Sequence, residues 1–184
     1  MRLQPLELEG VYLIQPEPIA DARGFFARCF SAEVLRSQGL VTDFPEWSLS
    51  FNARKGTLRG LHWQAEPYSE TKLVQCIRGS LFDVVIDVRA GSPTRGRWLG
   101  VELTADNRNI LYIPAGFAHG FQTLADDTEL YYHISEPFQQ NGARGVRWND
   151  PDIAVTWPAV DMRTMSARDE GLPFLAELND SLRG

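Results

Sequence analysis

Three histidines stand in the 184-residue chain: His62, His119 and His133. His62 is the one whose neighbours could do chemistry. It sits in TLRGLHWQ (57–64), three residues after Arg59 and two after Gly60. Imidazole changes charge near neutral pH, so a cation and a carboxylate nearby would make it more than a satisfied core histidine. Lys72 opens the next apolar run, ten residues on. The intervening AEPYSET reads as a loop between antiparallel neighbours, and such a hairpin can bring Lys72 near His62. Asp83 and Asp87 lie on the polar-carrying face of the following strand, where a carboxylate could neutralise that lysine or orient an imidazole. On a regular strand Arg59 would point away from His62, because successive side chains alternate. A bulge at Gly60 would remove that objection, and glycine inside a strand often marks one.

His119 lies in a second segment, IPAGFAHGF (113–121), where Pro114 and Gly116 build a tight turn. Tyr131 and Tyr132 follow on the next strand. Alternation sends one inward and the other outward, and pattern alone does not say which. The simplest reading of either histidine is a satisfied side chain bonded to backbone. Metal chemistry has little support. Three-histidine sites in small β-barrels use a His-x-His pair on one strand, and positions 60 and 64 hold Gly and Gln. Cys29 and Cys76 lack close spacing and read as free thiols, not as a disulfide or a metal pair.

The elements that must position these groups are mostly strands. The chain is 43% hydrophobic and 23% charged, which is ordinary globular composition and leaves room for a real core. A net charge of −6 argues against nucleic acid as a partner. The start, MRLQPLELEG, does not read as a signal peptide, and no apolar run is long enough for a membrane span; a cytoplasmic protein is expected. Alternating segments occur at 11–18, 25–30, 48–52, 57–64, 72–77, 81–89, 99–104, 110–114, 120–125 and 129–135, with two more edges at GVRWND and IAVTWP. Phe82, Val84, Ile86 and Val88 share one face of their strand. One clear helix spans 31–40, with Ser31 as N-cap and Gly39 as its left-handed stop. A further turn or two of helix is expected in PFLAEL (173–178). The count and spacing imply an all-β sandwich or barrel in a single domain over 1–184, with short terminal extensions.

Seven ordered motifs go further: DARGFF (21–26), KGTLRGLHWQ (55–64), KLVQCIRGSLFDVVIDVR (72–89), SPTRGRW (92–98), LYIPAGFAHGF (111–121), GVRWNDP (145–151) and SARDEGLP (166–173). Together they resemble the dTDP-4-dehydrorhamnose 3,5-epimerases, from about residue 10 to 175. The resemblance implies a cupin-type jelly-roll barrel with a short helix and terminal extensions. It implies His62 as general base, Asp169 as its carboxylate partner, Tyr132 as general acid and Lys72 as the cation that stabilises an enolate. Arg59, His119 and Arg168 are implied to bind substrate in the same pocket. Arg23 and Phe26 are implied to touch the nucleotide across the interface of a homodimer. No metal and no redox cofactor is implied, and the partner is a nucleotide-sugar substrate.

That set suits epimerisation beside a ketone. A base removes the C–H proton, a nearby cation holds the enolate, and a phenol on the opposite face returns a proton. Some positions depart from the family's commonest pattern. Arg28 stands where many members carry Glu, Glu46, Trp47 and Ser48 stand where Gln and Asn are usual, and Phe138 replaces a second Tyr. Phe138 cannot donate a proton, so epimerisation at C3 alone or C5 alone is an alternative. A 3,4-ketoisomerase would leave Tyr132 without a role, and a non-catalytic sugar-binding protein would need no base–acid pair.

Overall fold

A computed structural model describes residues 1–181. In chain order the elements are β1 (Arg2–Pro5), β2 (Tyr12–Gln15), β3 (Ile19–Asp21), β4 (Gly24–Phe26), α1 (Ala32–Ser37), β5 (Glu46–Asn52), β6 (Leu58–Gln64), β7 (Lys72–Arg78), β8 (Ser80–Asp87), β9 (Trp98–Thr104), β10 (Ile110–Ile113), β11 (Phe117–Thr123), β12 (Thr128–Ile134), β13 (Ala143–Gly145), α2 (Ala167–Glu170) and α3 (Leu175–Ser181). The strands form a six-stranded sheet in the order β1-β2-β10-β7-β12-β5, a five-stranded sheet in the order β13-β6-β11-β8-β9, and the small β3–β4 hairpin. All named pairings are antiparallel.

The all-β expectation holds, but the closed jelly-roll barrel does not. Closure needs the edge strands of a sheet to find partners, and here both large sheets stay open. β1 and β5 end the first, β13 and β9 the second, each paired on one side only. The sheets are joined by side chains instead: Leu13, Val74, Cys76, Leu111, Ile113 and Leu130 of the six-stranded sheet pack against Leu81, Val85, Leu103, Phe117 and Phe121 of the five-stranded one. That apolar layer excludes water from both inner faces and is the main stabilising contact between them.

Each outer face is also covered in part. Helix α1 lays the fully buried Leu35 against Ile14, Leu73, Ile110 and Tyr112. Ser31 caps that helix, its Oγ accepting from Val34 N, and Gly39 follows with φ +70°, as its sequence position required. The C-terminal segment covers the other sheet with Val146, Ile153 and Leu175 on Leu61, Val84, Ile86 and Ala118. So the stripe Val84–Ile86–Val88 meets the tail, and the opposite face of β8, with Leu81, Asp83, Val85 and Asp87, meets the interior. IAVTWP (153–158) forms no strand, because its apolar residues serve as this lid. Of the 25–30 segment only Phe25 and Phe26 are strand, at the end of β4, and β1 and β3 carry too little alternation to be seen in the sequence.

Candidate active site

His62 on β6 lies directly opposite His119 on β11. Two positions along β11, Phe121 faces Arg59, which is three positions back along β6, so β6 carries one extra residue. Gly60 makes the slip possible. Its φ is +125°, and a Cβ there would stand 2.5 Å from Gly120 Cα. The bulge turns Arg59 onto the same face as His62, and both line one cavity of about 730 Å³. Asn52 Oδ1 accepts a 2.8 Å hydrogen bond from Arg59 Nε and steadies the guanidinium.

Ser166 caps the short helix α2, its Oγ accepting from Asp169 N at 3.1 Å. That cap aims the Asp169 carboxylate at β6. Asp169 Oδ1 lies 2.8 Å from His62 Nε2, and Oδ2 accepts from Gly60 N at 3.2 Å. Burial pushes the Asp169 carboxyl up, but the His62 hydrogen bond and charge, the Gly60 amide and Arg168 outweigh it, so its pKa falls below the usual value. An ionised Asp169 accepts the Nε2 proton and leaves Nδ1 as the basic nitrogen. The imidazole is 39% exposed, open to a reactant, while its partner's side chain is 7% exposed.

Lys72 is not in a hairpin with His62. Strand β7 pairs with β10 and β12, so Lys72 belongs to the opposite sheet. Its ammonium nevertheless crosses to within 3.5 Å of the His62 carbonyl oxygen. Glu70 Oε1 holds it at 2.7 Å, with both side chains about one-tenth exposed. Tyr132, on the neighbouring β12, turns inward and sets its ring edge-on to His119, 6.0 Å between centroids. Burial raises its phenol well above the ordinary value, Asp83 adds to that and Arg59 partly offsets it, so Tyr132 is a neutral O–H donor at pH 7. Tyr131 faces the other way, against Trp47 and His133.

Of the two carboxylates singled out on β8, Asp83 orients an imidazole, but that of His119, with Oδ2 3.0 Å from Nε2. Burial pushes the Asp83 carboxyl up against the opposing pull of His119 and Lys72. Asp87 is outside the cavity, engaged by Arg89, Ser92 and Thr94. Among the described residues no cluster of three or more His, Cys, Asp or Glu could hold a metal ion. Arg168 lines the cavity. Arg23 and Phe26 do not: they sit on the β3–β4 hairpin, Arg23 paired with Asp21 at 2.5 Å and Phe26 largely exposed. Glu46, Ser48 and Phe138 line the cavity, Trp47 points outward, and Arg28 lies off it. Sequence reasoning missed Glu70, Asn52 and Ser166. Only Ser166, three residues before Asp169, carried a signal, as a capping residue.

The chain is similar to known proteins along most of its length. A family model described as dTDP-4-dehydrorhamnose 3,5-epimerase matches residues 5–177. The dTDP-4-dehydrorhamnose 3,5-epimerase of Sinorhizobium fredii is 43% identical over 182 residues, 97% of this chain and 91% of that protein. The dTDP-4-dehydrorhamnose 3-epimerase of Streptomyces niveus is 37% identical over 182 residues, 98% and 87% of the two chains. Among solved structures, the Legionella pneumophila dTDP-6-deoxy-D-glucose-3,5-epimerase, in complex with dTDP-4-keto-L-rhamnose, superposes with a TM-score of 0.91 at 32% identity, covering 98% of this chain and 96% of that one. With similarity spanning nearly its whole length, the chain belongs to the dTDP-4-dehydrorhamnose 3,5-epimerase family.

Proposed function

We infer that this protein is an isomerase that epimerises C3 and C5 of a dTDP-linked 4-keto-6-deoxyhexose without a cofactor. One observation carries the reading: an imidazole–carboxylate pair on one sheet shares a cavity with a phenol and an ammonium from the other. His62 Nδ1 takes the proton from a carbon next to the ketone. Electrons move into the C=O, so the ketone itself is the electron sink. Lys72 holds the enolate oxygen, the kind of preorganised charge whose removal costs roughly 2.7–4 kcal/mol. Tyr132 returns a proton from the other face and inverts the carbon. Arg59, His119 and Arg168 bind and orient the sugar nucleotide. A 3,4-ketoisomerase moves its proton on one face and gives Tyr132 no work. Incubation with dTDP-4-keto-6-deoxyglucose in heavy water tests the reading by NMR. Deuterium is expected at both C3 and C5; entry at C3 alone makes this a 3-epimerase like its Streptomyces niveus relative, and entry at neither carbon overturns the function.

We further propose that the working unit is a homodimer. Trp47, Leu49 and Phe51, along the edge strand β5, are each more than half exposed, as are Ile19 and Phe26 on the hairpin. Apolar groups concentrated on an open sheet edge favour a protein contact over water. A partner's hairpin would bring Arg23 and Phe26 to a cavity that this chain's own hairpin does not line. Light scattering of the purified protein decides the point: twice the chain mass is expected, and a wild-type monomer overturns the proposal. The exposed free thiol of Cys29 and the buried one of Cys76 support a reducing, cytoplasmic setting.

A further inference from the structure

Gln64 is the last residue of β6, two positions beyond His62, and alternation sends both side chains into the cavity. It is 3% exposed. Its amide bonds twice to one loop. Nε2 donates to the Pro137 carbonyl at 3.3 Å, and Oε1 accepts from Gln139 N at 2.6 Å. These two bonds bracket Phe138, a residue that is 66% exposed yet lines the cavity. The loop runs from β12, which carries Tyr132, to β13, which pairs with β6. Ser135 fixes its near end by exchanging bonds with Thr71, and Gly142 fixes its far end by accepting from Ala65 N. Between those anchors Gln64 supplies two side-chain bonds that hold the arc around Phe138.

Base, acid and cation all sit where the two sheets face each other, so the sugar occupies that depth. The nucleotide half of the substrate is then left at the exposed rim, where Phe138, Glu46 and Arg144 stand. We propose that Gln64 is a positioning residue: it holds Phe138 as an aromatic wall for the nucleotide and thereby sets substrate affinity. The inference rests on the sugar-nucleotide reading above. An exposed aromatic ring leaves apolar surface in water, and a flat partner that stacks on it relieves that cost; a nucleobase is such a partner. A glutamine suits the clamp because it offers one donor and one acceptor to two backbone groups of opposite kind. A carboxylate keeps the acceptor and loses the donor; a leucine loses both.

The test compares wild type, Gln64→Glu, Gln64→Leu, Phe138→Ala and the double variant Gln64→Glu/Phe138→Ala. Steady-state kinetics on dTDP-4-keto-6-deoxyglucose are read beside dTDP binding by calorimetry. Each single variant is expected to raise KM and the dTDP Kd by about 3- to 10-fold, the worth of one aromatic contact, with kcat within about 2-fold. The double variant should bind dTDP no more weakly than Phe138→Ala alone, because the clamp acts only through the ring. A general packing defect would instead lower kcat or stability and add to the Phe138 effect. Additive losses, or a fall in kcat with dTDP affinity unchanged, overturn the proposal. If Gln64→Leu does not fold, the Gln64→Glu and Phe138→Ala cycle still decides it. A wild type that neither binds dTDP nor turns over the sugar refutes the functional reading itself.

Discussion

His62 Nε2 and Asp169 Oδ1 stand 2.8 Å apart, although 107 positions separate them in the chain. The contact joins an inner strand to a helix of four residues, and it exists because Ser166 caps that helix and Gly60 presents its amide to the same carboxylate. Of the two groups that engage the Asp169 oxygens, the Gly60 amide holds the carboxylate and His62 receives its orienting effect.

His62→Ala should lower kcat by about 10²- to 10⁴-fold, the usual worth of a positioned base, and should stop deuterium entry at C3 and C5 together. The ring is more than a third exposed, so the melting temperature should move little. Turnover above roughly 5% of wild type would show that another group takes the proton.

Asp169→Asn should also lower kcat by about 10²-fold or more, since an amide can donate to Nε2 and favour the wrong tautomer. It carries a pH signature in stability as well. The folded-state pKa of Asp169 lies below its unfolded value, so ionisation favours the fold above the ordinary aspartate range. That contribution fades as pH falls through the depressed value. The stability gap between wild type and Asp169→Asn, by urea titration, should therefore be widest above about pH 5 and shrink below about pH 4. A gap that widens on acidification would contradict the assignment.

Tyr132→Phe leaves the base face intact and removes the proton donor from the other. Inversion should slow by about 10²-fold or more while exchange of the substrate C–H with solvent falls far less. Comparing product formation with deuterium loss from C3- and C5-labelled substrate separates the two. Equal losses in both would place Tyr132 in binding and not in reprotonation.

Much of this was legible in the sequence where a local rule operates. The cap and stop of α1, the glycine bulge before His62 and the alternation of β8 all rest on neighbours in the chain. The sheet assignments were not legible. Lys72 follows His62 after a short loop, and a hairpin is the economical reading; instead the loop crosses between sheets, and the two meet face to face. IAVTWP alternates like a strand but lies over an apolar sheet, where burial and not hydrogen bonding to a neighbour satisfies its pattern. The Asp83–His119 pairing and the Glu70–Lys72 contact depend on register between distant strands, which no spacing rule records. The motif resemblance brought Asp169 to His62 before any geometry could, because local reasoning has no way to fold a tail helix onto an inner strand.

The last prediction separates the bulge from the chemistry it serves. Gly60 and Gly24 have nearly the same positive dihedral, φ +125° and +129°, but different surroundings. A Cβ on Gly24 meets nothing within 4 Å, whereas one on Gly60 meets Gly120 Cα at 2.5 Å and the His119 carbonyl oxygen at 3.0 Å. Gly24→Ala should cost only the backbone term, about 1 kcal/mol, and Gly60→Ala about 2–4 kcal/mol, because two inner strands must separate to admit the methyl. The molecules that still fold should also be slow. Without the slip in register, Arg59 returns to the face opposite His62 and the guanidinium leaves the cavity. Urea denaturation of both variants, with kcat and KM measured on the folded fraction, tests the two parts separately. Equal stability losses would mean the strands yield easily at Gly120. A fully active Gly60→Ala would mean that Arg59 reaches the cavity without the bulge.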